Sequence, residues 1–260
     1  MKKIVFLLIC LLSCFVTVFA QEHKFTRLIW NDEFNGAGLP DTTKWSYDIG
    51  SGGWGNQEAE FYTNRIQNAY QKDGNLIITA IKEHYKGSNY TSARLATRGK
   101  YEVKYGRIEV RAKIPRGLGA WPTFWMLGSN ITKVGWPISG EVDILENFGY
   151  DSLNIHGTVH RGDKTTRTHI SSGNSIQIEN SSEKFHVYSI EWDSTGIDFY
   201  VDSIKYHSYK KNEFTNEGWP LDQPFFLLLN LAVGGVDGGY GIDDSRFPFQ
   251  FCIDYVRVYQ

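Results

Sequence analysis

Residues Glu141-Val142-Asp143-Ile144-Leu145-Glu146 place three carboxylates on a stretch whose other members are apolar strand formers. Val, Ile and Leu imply burial on at least one side, where acids are normally excluded because burying a charge costs several kcal/mol. The segment is therefore a candidate site for carboxylate chemistry, and what the acids could do depends on which way each one faces. In a regular strand Glu141 and Asp143 share one face and Glu146 points the other way. One extra residue at Ile144-Leu145, a β-bulge, would turn Glu146 back onto the face of the first two. A helix does worse, since it sets residues 141 and 146 about 140° apart around its axis. The residues alone leave two readings: a bulged strand with three acids in one groove, or an ordinary strand with Glu146 facing solvent.

The elements that must position these acids read as strands. Alternating segments occur at residues 75–81, 101–105, 107–114, 185–192, 197–201, 225–230 and 252–259, each bounded by Gly, Pro, Asn or Asp. No helical period is sustained, so the expected fold is all-β, a jelly-roll sandwich of two curved antiparallel sheets. Between Arg107 and Ile114 the even-numbered positions are apolar, which predicts one core face and one wet face. Phe225 to Asn230 is almost continuously apolar and predicts a central strand covered on both sides, with Asn230 needing partners or touching substrate. Before the acidic segment, Gly, Pro and Trp cluster at residues 117–128 and 135–137. Trp121 and Trp136, each beside a proline, are groove candidates, whereas Phe124 and Trp125 read as core.

Composition narrows the setting. A basic head, an apolar run from Ile4 to Phe19 and Val18-Phe19-Ala20 before polar residues read as a secretory signal over residues 1–20, cleaved after Ala20. The run is shorter than the ~20 residues of a membrane span, so no transmembrane segment is expected. Leu11-Leu12-Ser13-Cys14 is the competing signal, a partial lipoprotein box that would anchor the chain at the cell surface through Cys14. Losing Lys2 and Lys3 with the signal leaves 25 basic against 29 acidic residues, which argues against a nucleic-acid partner. Cys252 would then be the one remaining cysteine, so residues 21–260 are expected to fold as a single domain held by its core. The 15% aromatic content suits carbohydrate binding as well as a core.

With these residues in place, the chain resembles glycoside hydrolase family 16, and within it the laminarinase-like endo-β-1,3-glucanases. The resemblance rests on an ordered set: Trp30-Asn-Asp-Glu-Phe34, Gly53-Trp-Gly-Asn-Gln-Glu-Ala-Glu-Phe-Tyr62, Tyr90-Thr-Ser-Ala-Arg94, the Trp121 segment, the acidic motif, His156-Gly-Thr-Val-His160 and Asp254-Tyr-Val-Arg-Val258. It implies a curved jelly roll with a concave substrate groove, the bulged reading of the acidic strand, and retaining hydrolysis of β-1,3-glucan, with mixed β-1,3/1,4-glucan as a further substrate. It also implies Glu141 as nucleophile, Glu146 as general acid/base kept protonated by the crowded acids, and Asp143 as the assisting residue. Asn56, Arg94, Trp121, Trp136 and His160 fall at sugar-contacting positions, with a structural role the alternative for His160. No cofactor is implied for catalysis, but Glu33, Gly74 and Asp254 fall where the family commonly holds a structural calcium ion. A monomer acting on a polysaccharide is expected.

The chain departs from the family pattern at Arg161-Gly-Asp-Lys164 and Val236-Asp-Gly-Gly-Tyr240, both in groove loops by this reading. Two alternatives therefore stand: a galactan hydrolase of agarase or carrageenase type, for whose sulfated substrates Arg161, Lys164 and Arg167 would be the cations, and a non-catalytic carbohydrate-binding sandwich.

Overall fold

The computed structural model describes residues 23–163, 165–211, 219–236, 238 and 241–260. The signal segment with Cys10 and Cys14, Lys164, and Asp237, Gly239 and Tyr240 of the second departing loop lie outside the described residues.

Alternation of apolar side chains builds two sheets, of ten and seven strands among the described residues. The larger runs Ile204–Lys210, Gly196–Val201, His186–Asp193, Gly106–Lys113, Phe249–Tyr259, Asn75–Tyr85, Ser88–Ser92 and Glu60–Tyr62, with Leu28–Asp32 and Ala69–Lys72 pairing beside it. The smaller runs His169–Gln177, Asn154–Gly162, Glu141–Glu146, Ala120–Gly128, Phe225–Val233, Arg94–Ala96 and Ser46–Tyr47. Neighbours are antiparallel throughout the smaller sheet. In the larger, Glu60–Tyr62 runs parallel to Ser88–Ser92. The all-β sandwich expected from the sequence is the observed architecture.

The core lies between the sheets. Ile108, Val110, Ala112 and Ile114 are buried there, as the alternation predicts. Glu109 on the opposite face is buried too, its carboxylate held by Arg107 and by the Tyr259 hydroxyl. In Phe225–Val233 every residue is buried. Phe225, Leu227, Leu229, Leu231 and Val233 enter the main core, while Phe226 and Leu228 join Leu127 and Ala96 in a second cluster on the other face. Covering on both sides is why the run reads as continuously apolar.

One expected strand is not formed. In residues 101–105 only Val103 pairs, through an isolated two-hydrogen-bond bridge to Phe225. Tyr105 adopts a φ of 64°, which breaks the extended run before Gly106 begins the next strand.

The acidic strand carries the bulge. Against Ala120–Gly128, Asp143 faces Trp125 and Leu145 faces Phe124, so Ile144 is the extra residue. Against Asn154–Gly162, Asp143 faces Thr158 and Glu146 faces His156. Ile144 and Leu145 both turn inward to the core with Val142, and this double inward step returns Glu146 to the face of Glu141 and Asp143.

Candidate active site

Close backbone approaches fix both ends of the acidic strand. A Cβ on Gly128, where the preceding strand ends, would lie 2.1 Å from the Ser139 carbonyl oxygen. One on Gly149, just past the strand, would lie 1.9 Å from the Gly117 carbonyl oxygen. Only glycine lets these segments approach so closely.

On the face of the seven-stranded sheet turned away from the core, a cavity of about 360 Å³ is lined by all three acids together with Asn56, Arg94, Trp121 and Trp136. Each catalytic candidate has its own donor. Trp136 Nε1 donates to Glu141 Oε2 at 3.0 Å, and Trp121 Nε1 donates to Glu146 Oε1 at 3.0 Å. The two indoles differ in exposure: Trp136 is 47% exposed and Trp121 only 5%. Trp136 therefore offers an open ring to a ligand, whereas Trp121 presents mainly its N–H edge.

His160 is not among the residues lining the cavity but stands beside it, opposite Glu141 across the strand pair, with Nε2 2.9 Å from Asp143 Oδ2 and Nδ1 2.8 Å from His169 Nε2. Burial alone would lower its pKa. The hydrogen bond and charge of Asp143, joined by Glu141 and Glu146, outweigh this and push it up to about 9. His160 is thus an imidazolium at neutral pH; His169's own burial, and then the His160 charge, lower the His169 pKa, and His169 Nε2 accepts from the His160 Nδ1–H. Burial, and then the Asp143 charge, raise the Glu141 carboxyl, against the opposing pull of His160, Arg94 and the Trp136 N–H. The ligand atoms of Glu141, Asp143 and His160 lie within 4.8 Å of one another, close enough to hold a cation, but with His160 protonated the group already contains its own counter-charge.

Arg94 lies between two rings, its guanidinium 4.9 Å from the Trp54 and 4.8 Å from the Trp125 ring centres, with Nε on Asp48 at 3.1 Å. Trp125 is therefore not a core residue. It faces Asp143 across the strand pair, so strand geometry puts both on the groove side, and it lines the cavity. Its Nε1 donates to Asn230 Oδ1 at 2.7 Å, where Thr123 also donates at 2.7 Å, while Asn230 Nδ2 donates to the Tyr62 hydroxyl at 3.2 Å. Asn230 is thus committed to protein partners on both sides of its amide. Asn56 Nδ2 donates to Glu58 Oε1 at 3.2 Å.

Sequence reasoning missed Trp54, Glu58, Trp125 and His169. Register would have found Trp125, but nothing local signals His169, which reaches His160 only because Gly162 pairs with it across strands. Of the cations considered for sulfated ligands, Arg161 is 1% exposed and donates inward to the Tyr209 hydroxyl at 2.8 Å. Arg167 donates to the Val134 carbonyl at 2.7 Å.

Glu33, Gly74 and Asp254 sit at one corner of the larger sheet, beside the Asp32–Val256 and Leu76–Ile253 pairs. Gly74 turns there with a φ of 73°. Glu33 accepts two hydrogen bonds from Arg257 at 2.8 Å, which lower its pKa, and Asp254 is paired with Arg111. Both carboxylates thus already hold an arginine.

Residues 55–257 match the family described as glycosyl hydrolases family 16. The chain is 44% identical over its full length to a β-glucanase of Rhodothermus marinus, covering 95% of that protein. Over 90% of its length it is 37% identical to glucan endo-1,3-β-glucosidase A1 of Niallia circulans, spanning 38% of that longer protein. The crystal structure of the Rhodothermus marinus laminarinase superimposes with a TM-score of 0.84 at 46% identity, over 90% of this chain and 97% of that one. The chain belongs to glycosyl hydrolases family 16.

Proposed function

We propose that this protein is an endo-acting β-1,3-glucanase, taking mixed-linkage β-1,3/1,4-glucan as well, that cleaves by double displacement with retention. The observation that carries the reading is the bulge at Ile144, which puts Glu141 and Glu146 on one face, each with its own indole donor. Retaining glycosidases need two carboxyls ~5–5.5 Å apart on one groove face.

In this reading Glu146 protonates the glycosidic oxygen while Glu141 attacks the anomeric carbon and forms a glycosyl ester. The ionised Glu146 then takes a proton from the water that hydrolyses the ester. The His160 imidazolium, Arg94 and the Trp136 N–H favour the charged form of Glu141 and offset part of the burial and Asp143 charge that on balance raise its carboxyl. Asn56 and Arg94 supply donors for sugar hydroxyls, and Trp136 a ring on which a pyranose stacks.

The test is Glu141→Gln, assayed for both laminarin binding and hydrolysis. Binding retained with turnover lost supports the assignment; unchanged product release refutes it. The anomeric configuration of the first product decides retention, and assays on laminarin, lichenan, agarose and carrageenan decide the substrate. The inward course of Arg161 gives no support to a sulfated galactan.

We further propose that the protein is exported as a monomer, cleaved after Ala20 or lipid-bearing at Cys14, which the mass of the mature N-terminus distinguishes. No helix among the described residues is long and apolar enough to cross a membrane. A structural calcium ion at Glu33, Gly74 and Asp254 is proposed as well. It would compete with Arg257 and Arg111 for the two carboxylates, so a melting temperature raised by calcium and lowered by chelator is the check.

A further inference from the structure

Beneath the cavity lies a second pair of carboxyls that the proposed chemistry does not use. Glu58 lines the cavity, and Glu60, two residues on, is 0% exposed. Glu58 Oε2 accepts from the Tyr62 hydroxyl at 2.8 Å, and its Oε1 accepts from Asn56 at 3.2 Å. Glu60 Oε2 accepts from the Val233 N–H at 2.7 Å, while its Oε1 is buried and takes no hydrogen bond among the described residues. If both groups were ionised, two neighbouring buried carboxylates would repel each other with no ion pair to either among the described residues. Arg94, whose charge is felt at Tyr62, gives its Nε to Asp48 instead. A proton on Glu60 Oε1 satisfies that oxygen and removes the repulsion together.

We propose that Glu60 is a protonated positioning residue, donating a hydrogen bond to Glu58 so that the two carboxyls share one negative charge. Burial, and then the Glu58 charge, hold the Glu60 carboxyl well above the ordinary carboxylate range. The groups facing the pair are Tyr62 from the same segment, the Val233 N–H from the adjoining strand and Arg94 from its own strand. The shared charge anchors two branches. One holds the Asn56 amide in the groove; the other runs through Tyr62 to Asn230 and so to the Trp125 indole against which Arg94 stacks. Glu60 thereby sets the shape of the sugar-binding floor without touching sugar.

Infrared difference spectroscopy of the wild type and Glu60→Gln at pH 7 tests the proton directly. A deuterium-sensitive protonated-carboxyl band, present in the wild type and missing from the variant, is expected; equal spectra in that region overturn the proposal. The kinetic arm rests on the proposed glucan hydrolysis. Glu60→Leu, which cannot donate, is expected to raise KM on laminarin about tenfold with kcat within about threefold, the loss of one hydrogen bond to a charged group. Glu60→Gln, which donates an amide N–H to Glu58, should restore KM to within about threefold, and equal impairment of the two variants overturns the donor role. If Glu60→Leu does not fold, the band and Glu60→Gln still decide. A wild type inactive on every glucan would defeat the functional reading while leaving the spectroscopic result standing.

Discussion

Replacing His160 by Gln tests whether the site carries a partly buried imidazolium, because Gln keeps a donor for Asp143 and removes the charge. In the folded protein the His160 pKa rises from 6.5 to about 9. At about 1.4 kcal/mol per pH unit this bounds its contribution at roughly 3 kcal/mol. Screening at a side chain 22% exposed reduces the expectation to about 2 kcal/mol. Because the folded pKa lies above the unfolded one, the stabilisation is complete below about pH 6.5 and disappears as pH rises through about 9. Glu141, Asp143 and Glu146 supply the negative field, and His169 takes the other ring nitrogen. The raised Glu141 carboxyl slopes in the same direction, so the informative quantity is the difference between wild type and variant rather than either curve. Melting temperatures across pH 5.5–10 should differ by about 4–8 °C at the acidic end, given about 2–4 °C per kcal/mol for a chain of this size, and converge at the alkaline end. A gap that stays constant across pH would show that His160 is neutral and that its effect is packing.

Three further outcomes follow from the geometry. Deleting Ile144 removes the bulge yet leaves Glu146 on the groove face by strand parity, so hydrolysis should exceed that of Glu146→Gln while stability falls by about 2–4 kcal/mol for the lost buried side chain; a folded deletion no more active than Glu146→Gln refutes the parity argument. Inserting one alanine after Ile144 also gives an even spacing, but it carries Glu146 two residues, about 6.6 Å, further from Glu141 along the strand and should abolish activity, measured by reducing-sugar release. Asn230→Ala strands the Trp125 and Thr123 donors and takes away the donor to the Tyr62 hydroxyl, and should cost about 1–3 kcal/mol in denaturant melts, with a raised KM.

Strand-forming segments were legible because alternation reports burial directly, as in Arg107 to Ile114, whose even positions are all buried. The expectation for residues 101–105 failed where one backbone angle at Tyr105 outweighed a good pattern. Trp125 was misplaced because an isolated segment carries parity but no reference face; pairing with Asp143 supplies that reference. Arg161 looked like a groove cation until its strand orientation sent it inward to Tyr209.

By itself the sequence determined the all-β class, the family resemblance and the three acids, since residue types and their order along the chain carry these. Only the tertiary structure decided which single residue bulges, that each glutamate has its own tryptophan donor, that His160 leans on His169, and that Glu60 is fully buried with a carboxyl oxygen unpartnered among the described residues while Glu58 lines the groove. Those facts depend on register between strands distant in the chain, and on burial, which turns a pair of ordinary acids into a group that must share a proton.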